Sequence, residues 1–352
     1  MAIDPERLNA FMGKFVGDLG AGLHAALVIL GDKLGLYKAM AGAGPIGPAE
    51  LARRTSCDER YVREWLNAMA AGGYVSYDSG RDAYYLNDEQ AFALADENSP
   101  VYVPGAFQII SSVMKDEEKI TAAFRTGKGV GWHEHHTDLF IGTERFFRPN
   151  YVANLVSNWI PALDGVEGRL KGGARVADIG CGHGASTVLM AQAYPKSEVV
   201  GFDYHPASIE VARQRAKNAG LDGRVRFEVA PAKTYPGKNY DLVTFFDCLH
   251  DMGDPAGAAK HVYESLSDDG AWMLVEPMAG DSVAANLNPV GRVFYCASTM
   301  ICTPASKAQE VGTALGAQAG EKRLREVVQA GGFRKVRRAA ETPFNLVLEA
   351  RR

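Results

Sequence analysis

One run of ten residues constrains this chain more than any other: Val176-Ala177-Asp178-Ile179-Gly180-Cys181-Gly182-His183-Gly184-Ala185. Apolar residues lead into an acid, and the acid leads into three glycines spaced two apart. The pattern reads as a buried strand, a turn that tolerates unusual backbone angles, and the start of a helix. Glycine lacks a Cβ, so the backbone reaches φ > 0 cheaply and a ligand can approach it closely. The acid then selects the ligand. A dinucleotide fold sets an anionic pyrophosphate at this turn, on backbone N–H groups and a helix N-terminus, and Asp178 would repel it. A cationic ligand is favoured instead: a sulphonium amino acid with a free ammonium group, such as S-adenosylmethionine.

At 352 residues the chain exceeds the usual range of one core, so two domains are expected, and 47% apolar residues suffice to fill them. The five cysteines (Cys57, Cys181, Cys248, Cys296 and Cys302) form no C-x-x-C pair, which argues against a disulfide scaffold or zinc knuckle and for a reducing cytosol. Met1 to Glu6 lacks the basic start of a signal peptide, and the longest apolar run, Ala21 to Leu30, is too short to span a bilayer. A soluble, cytoplasmic protein with no membrane partner is expected. The net charge of −4 gives no electrostatic footprint for nucleic acid. Residues 1–100 hold 9 Lys and Arg against 14 Asp and Glu, a net of −5.

Residues 18–41 carry helical spacing and end in the breaker run Gly42-Ala43-Gly44-Pro45; their small residues suggest helix–helix contact, including contact between subunits. A short helix (Ala49–Arg54), a turn, and a second helix (Asp58–Ala71, capped by Asp58 and stopped by Gly72-Gly73) precede two short strands, Tyr74–Tyr77 and Ala83–Leu86. Helix, helix and hairpin make a winged helix. Its second helix would read DNA, but Asp58, Glu59, Arg60, Arg63 and Glu64 sum to −1, which favours a dimerisation role. Residues 100–165 read as a mostly helical connector, irregular at Thr126–Thr137. From Gly172 strand and helix alternate, as in a doubly wound sheet. Strands fall at Arg175–Ile179, Glu198–Phe202, Val225–Val229, Asp241–Phe246 and Ala271–Glu276, with helices near Ala185–Tyr194, Pro206–Ala219 and Pro255–Leu266. The last two strands, Phe333–Arg337 and Phe344–Ala350, are too close for a parallel crossover and must pair antiparallel.

Gly180-x-Gly182-x-x-Ala185 also satisfies the dinucleotide pattern, and Asp203 stands at the end of the second strand, where an acid grips ribose hydroxyls in either cofactor class. Asp178 and the third glycine move the reading away from a nicotinamide. With Val176-x-Asp178-x-Gly180-x-Gly182-x-Gly184, Asp203 after Val199-Val200-Gly201-Phe202, and Phe246-Asp247-Cys248-Leu249-His250-Asp251, the chain resembles class I S-adenosylmethionine-dependent methyltransferases. The resemblance covers the whole catalytic half. It implies an α/β fold with a doubly wound, seven-stranded Rossmann-like sheet whose last strand is antiparallel. It implies that Asp178, Gly180, Gly182 and Gly184 hold the methionine end of the cofactor, that Asp203 binds the ribose, that Tyr204 flanks the adenine and that Asp247 lines the floor. Where family members often carry an acid for the adenine amino group, Ala230-Pro231-Ala232 stands here, which leaves adenine to backbone groups. A winged helix ahead of this domain looks like the small-molecule O-methyltransferases and a mycobacterial-type winged-helix methyltransferase family. That likeness implies a homodimer, with residues 1–100 as dimerisation domain, 101–165 as connector and lid, and 166–352 as catalytic domain.

Leu249-His250-Asp251-Met252-Gly253-Asp254 resembles the segment bearing the general base of plant-type O-methyltransferases. His250 is the candidate base, packing beneath the cofactor being the competing reading, and Asp251 is a further catalytic candidate. Glu276, ending the fifth strand, is a candidate to orient His250 or a substrate hydroxyl, a satisfied strand-end acid being the competing reading. His133-Glu134-His135-His136 lacks zinc spacing and suits a lid that brings His133 to the cofactor, so no metal is expected. Residues 280–315 read as a long apolar loop over a small, partly hydrophobic acceptor. Arg334–Arg338 reads as a solvated strand edge. Methyl transfer to a small molecule, at a hydroxyl oxygen, is the leading expectation. A winged-helix transcriptional regulator with a methyltransferase-like ligand domain is the alternative, disfavoured by the acidic module; a nicotinamide oxidoreductase is disfavoured by Asp178.

Overall fold

Asp4 and Pro5 set the first element. The Asp4 carboxylate accepts from the backbone N–H groups of Glu6 and Arg7, Pro5 fills the first helical turn, and a 29-residue helix follows, Pro5–Lys33. The structure, a computed structural model, describes residues 3–352. The helix expected from residue 18 therefore starts a dozen residues earlier, and it stops at Gly35, whose φ of 68° opens a second helix, Leu36–Met40. By length and composition helix Pro5–Lys33 is long and apolar enough to cross a membrane. Leu8, Phe11, Phe15, Val16, Leu19 and Leu23 on it are exposed.

The chain divides into two compact units, the first running to Ser112 with Ile141–Pro149 added, the second comprising Val113–Phe140 and Asn150–Arg352. In the first, helices Pro48–Thr55 and Glu59–Ala71 and a hairpin of β1 (Ser76–Asp78) and β2 (Ala83–Tyr85) form the winged helix, with Ile46 bridging to Tyr84 as a further edge. Asp58 caps the second helix as its sequence predicts. Val28, Leu36, Tyr37, Leu66 and Met69 close the core of this unit. Gly31 is required there, since a Cβ would lie 2.5 Å from the Trp65 ring. Arg60 pairs with Glu64 and Arg63 with Glu59, so the arginines of this helix are neutralised within it.

In the second unit the seven strands are β3 (Arg175–Ile179), β4 (Glu198–Asp203), β5 (Val225–Val229), β6 (Tyr240–Phe246), β7 (Leu266–Pro277), β8 (Lys335–Glu341) and β9 (Asn345–Arg351), in the order β5-β4-β3-β6-β7-β9-β8. The first five are parallel, and β9 runs antiparallel between β7 and β8. The α/β class, strand number and antiparallel closure match the expectation. Near-continuous apolar runs such as Leu242–Phe246 are what a sheet covered on both faces demands. Strand order reverses about β3, with β4 on one side and β6 on the other, and ligands bind at such a switch point, outside the carboxyl ends of the strands. One expectation fails. Residues 280–315 are not a long loop: helix Pro289–Ala297, the wide π turn Ser298–Cys302 and helix Thr303–Lys307 fill most of it. Asn288 caps that run by accepting from the Gly291 N–H, and Pro289 starts it. Its apolar residues belong to helical faces.

Candidate active site

The turn after β3 adopts the backbone its glycines allow: φ is +70° at Gly180, +51° at Gly182 and +76° at Gly184. A Cβ on Gly184 would lie 2.7 Å from Phe227, and one on Gly180 would lie 2.9 Å from Cys248 Sγ. The Gly180 contact brings the segment after β6 against the turn.

Asp178 is fully buried, beneath the turn. Its Oδ2 accepts from Ser186 Oγ (2.7 Å) and Thr187 Oγ1 (2.6 Å) in the first turn of helix Ala185–Ala193, and its Oδ1 accepts from Thr244 Oγ1 on β6 (2.9 Å). Burial still dominates, pushing the carboxyl up to about 6 against three hydroxyl donors. The oxygens of Asp178 therefore fasten the turn to helix Ala185–Ala193 and to β6. Asp203 ends β4. One oxygen accepts from Gly182 N–H at 2.9 Å and the other from His205 N–H at 2.8 Å, and burial raises its pKa. Each oxygen retains a lone pair for a ribose hydroxyl. The next residue, Tyr204, is 44% exposed.

Asp247 follows β6 in the left-handed region (φ +51°), a strained backbone for a non-glycine residue. Its Oδ1 accepts from Asn345 Nδ2 at 2.6 Å, its Oδ2 from Tyr151 OH at 3.0 Å, and Asn150 in turn holds Asn345 Oδ1 at 2.6 Å. Burial, with Glu276 adding to it, pushes Asp247 up to about 8. Tyr151, Asn150 and Asn345 were not singled out from the sequence. Asn345, opening the closing strand, is the one whose position gave a signal.

His250 lies in the short 3-10 turn Leu249–Asp251 and is buried. Its Nδ1 meets Glu276 Oε2 at 2.6 Å, and Glu276 Oε1 accepts from the Leu249 N–H at 2.9 Å, so one buried strand-end carboxylate fixes both turn and ring. Its Nε2 lies 3.1 Å from Asp251 Oδ1. Burial works against a charged ring, but Asp251 and Glu276 outweigh it and hold the His250 pKa well above its ordinary value. Glu276, 26 residues downstream of His250, thus joins the consecutive His250 and Asp251 in one cluster. Cys302, which the sequence reading left aside, joins it: a ligand atom from each of His250, Asp251 and Cys302 lies within 4.8 Å of the others.

The histidine run divides. The His133 ring stands edge-on to Tyr204 with centroids 6.4 Å apart, whereas buried His135 turns its Nδ1 to Asp116 Oδ2 at 3.0 Å. Phe140 stacks on His205 at 5.0 Å, and Val130 N–H donates to Pro304 O at 3.1 Å. Residues 130–140 therefore lie over the turn that follows β4, with His133 beside the residue expected to flank the adenine.

These features fit S-adenosylmethionine: a turn whose three glycines all hold positive φ, a ribose-type acid at the second strand end, and buried carboxylates that gain from a nearby cation. Residues 170–332 match a methyltransferase domain family, and residues 22–96 match an Rv2258c-like winged HTH domain. The chain is 33% identical to 27-O-demethylrifamycin SV methyltransferase of Amycolatopsis mediterranei over 35% of its own length and 48% of that protein. It is 26% identical to acetylserotonin O-methyltransferase of Mus musculus over 95% of its length and 87% of that protein. Against three of the curated relatives it matches, the chain spans 7%, 48% and 58% of their lengths. The solved structure of human N-acetylserotonin methyltransferase in complex with SAM has the same fold at 15% identity, with a TM-score of 0.71 over 100% of this chain and 99% of that one. The chain thus carries a methyltransferase domain, preceded by an Rv2258c-like winged HTH domain.

Proposed function

We propose that this protein moves the methyl group of S-adenosylmethionine to a hydroxyl oxygen of a small, partly hydrophobic molecule. The observation that carries this reading is the cluster of buried Glu276 and His250 with half-buried Asp251. Asp178, Gly180, Gly182, Gly184 and Asp247 would hold the methionine end, Asp203 the ribose, and Tyr204 with His133 the adenine side. When bound, the cofactor supplies an electrophilic methyl on a sulphonium. Glu276 holds Nδ1 of His250, and Nε2, which faces Asp251 Oδ1 at 3.1 Å, would take the hydroxyl proton once a substrate hydroxyl displaces that contact, a role worth ~10²–10⁴ in rate. The carboxylates that raise the His250 pKa stabilise the imidazolium so formed. A base must begin neutral, so the ring's extra proton has to be driven off first, and a sulphonium charge nearby does this by repulsion.

Residues 1–100 serve dimerisation in this reading, 101–165 form connector and lid, and 166–352 carry catalysis. The exposed apolar stripe of helix Pro5–Lys33 supports a homodimer, and the internally paired arginines of helix Glu59–Ala71 speak against a DNA reader. Five free thiols support a cytoplasmic location. The test is His250→Ala: methyl transfer is expected to fall ~10²-fold or more with cofactor affinity retained, and near-normal turnover would assign the ring to structure.

A further inference from the structure

Cys302 ends the π turn Ser298–Cys302, and insertions of this kind recur at functional sites. The turn carries the thiol to a place where a histidine and a carboxylate already adjoin. His250, Asp251 and Cys302 each offer a ligand atom within 4.8 Å of the other two. His250 and Cys302 are buried, and Asp251 is half-buried. Asp251 Oδ1 is itself shielded from solvent and stands 3.1 Å from His250 Nε2. The other ring nitrogen of His250 is taken by Glu276 at 2.6 Å, the carboxylate–imidazole arrangement that orients a metal-ligating histidine. The ring, its orienting acid, the thiol and the carboxylate oxygen are together what a borderline divalent ion requires. Nitrogen, sulfur and carboxylate donors on three side chains, with a fourth position open, describe a zinc site.

We propose that His250, Asp251 and Cys302 bind one Zn²⁺, with Glu276 as the positioning residue. Binding displaces the Cys302 thiol proton, and any proton on the ligating ring nitrogen, to solvent; no oxidation state changes. The ion takes the ring nitrogen that proton transfer needs, so zinc inhibits methyl transfer reversibly. That consequence rests on the base reading of His250, whereas the site does not. The absence of a metal expected from sequence reflected spacing alone: Cys302 lies far downstream of the His250–Asp251 pair, and the π turn brings it back.

The test is titration of the full-length protein with cobalt(II), followed by absorbance. One equivalent is expected to produce a thiolate-to-cobalt charge-transfer band that zinc competes away. Cys302→Ser, close to isosteric, is expected to abolish the band. Cys296→Ser, at an exposed thiol, should keep it, and Glu276→Gln should weaken affinity ~10–100-fold. No band in the wild type, or a band that survives Cys302→Ser, overturns the site. Methyl transfer is then assayed with zinc and with chelator. Inhibition that chelator reverses, and that Cys302→Ser blunts relative to its own uninhibited rate, supports the whole proposal. A cobalt band without zinc inhibition supports the site and removes His250 from the base role.

Discussion

Asp178 accepts from three hydroxyls and Asp247 from a phenol and an amide, yet both carboxyls stand above the ordinary value of 3.8, at about 6 and about 8. Burial is the first cause in each. The sign of the linkage follows. A carboxyl with a raised pKa in the fold favours folding while it is protonated, fully below its unfolded value, and that contribution is lost as pH climbs through about 6 and then about 8. A bound cation reverses the loss. The thermal stabilisation by S-adenosylmethionine should therefore exceed that by S-adenosylhomocysteine, and the gap should widen from pH 5.5 to pH 8.5; a gap that narrows would remove the acids from cofactor binding. Thr244→Val strips one donor from Asp178 and should cost ~1–3 kcal/mol of unfolding free energy in a denaturant titration. Asp178, the glycines, Asp203 and His250 were legible because each sits at a strand end whose neighbours are consecutive in sequence. Tyr151 and Cys302 were not, because each reaches the site through packing between distant segments, and Asn345 offered only its place at the start of the closing strand.

Helices decide what the site can recruit. Residues 280–315 read as a loop because the stretch between strand and helix is unusually long and rich in Met, Phe, Tyr and Cys. The π turn at Ser298–Cys302 shifts the helical phase in mid-run, between helices Pro289–Ala297 and Thr303–Lys307. The stretch 126–137 was correctly irregular, and its partners could not be read, since the stacking of Phe140 on His205 depends on tertiary approach. Phe140→Ala removes one aromatic stack of ~0.5–1.5 kcal/mol. Calorimetry should show cofactor affinity weakened about 2- to 10-fold, with the fold intact. The start of helix Pro5–Lys33 was missed because its first turns mix Arg7, Asn9, Gly13 and Lys14 with apolar residues, although Asp4 and Pro5 were a readable start signal. If its stripe joins two copies, Phe15→Glu with Leu19→Glu should convert a dimer to a monomer in sedimentation equilibrium. An unchanged mass would place the interface elsewhere.

At the scale of the molecule, strand order and chemistry agree. The sheet reverses direction of winding about β3, and the glycine turn, Asp203 and the Asp247–His250 segment stand at the ends of the three strands around that point. Alternating strand and helix made the sheet legible from residue 172 onward, and the short link between the last two strands made its antiparallel closure legible too. The division of the chain was less so: residues 141–149 join the first unit and 113–140 the second, an interleaving that composition does not encode. No motif in the sequence spells out the acceptor. The most direct measurement is transfer of a labelled methyl group from S-adenosylmethionine into a metabolite extract, followed by mass spectrometry. Label is expected in a small hydroxyl-bearing molecule, reduced ~10²-fold or more by His250→Ala. Label in no small molecule, with S-adenosylhomocysteine failing to stabilise the protein against heat, would contradict the account.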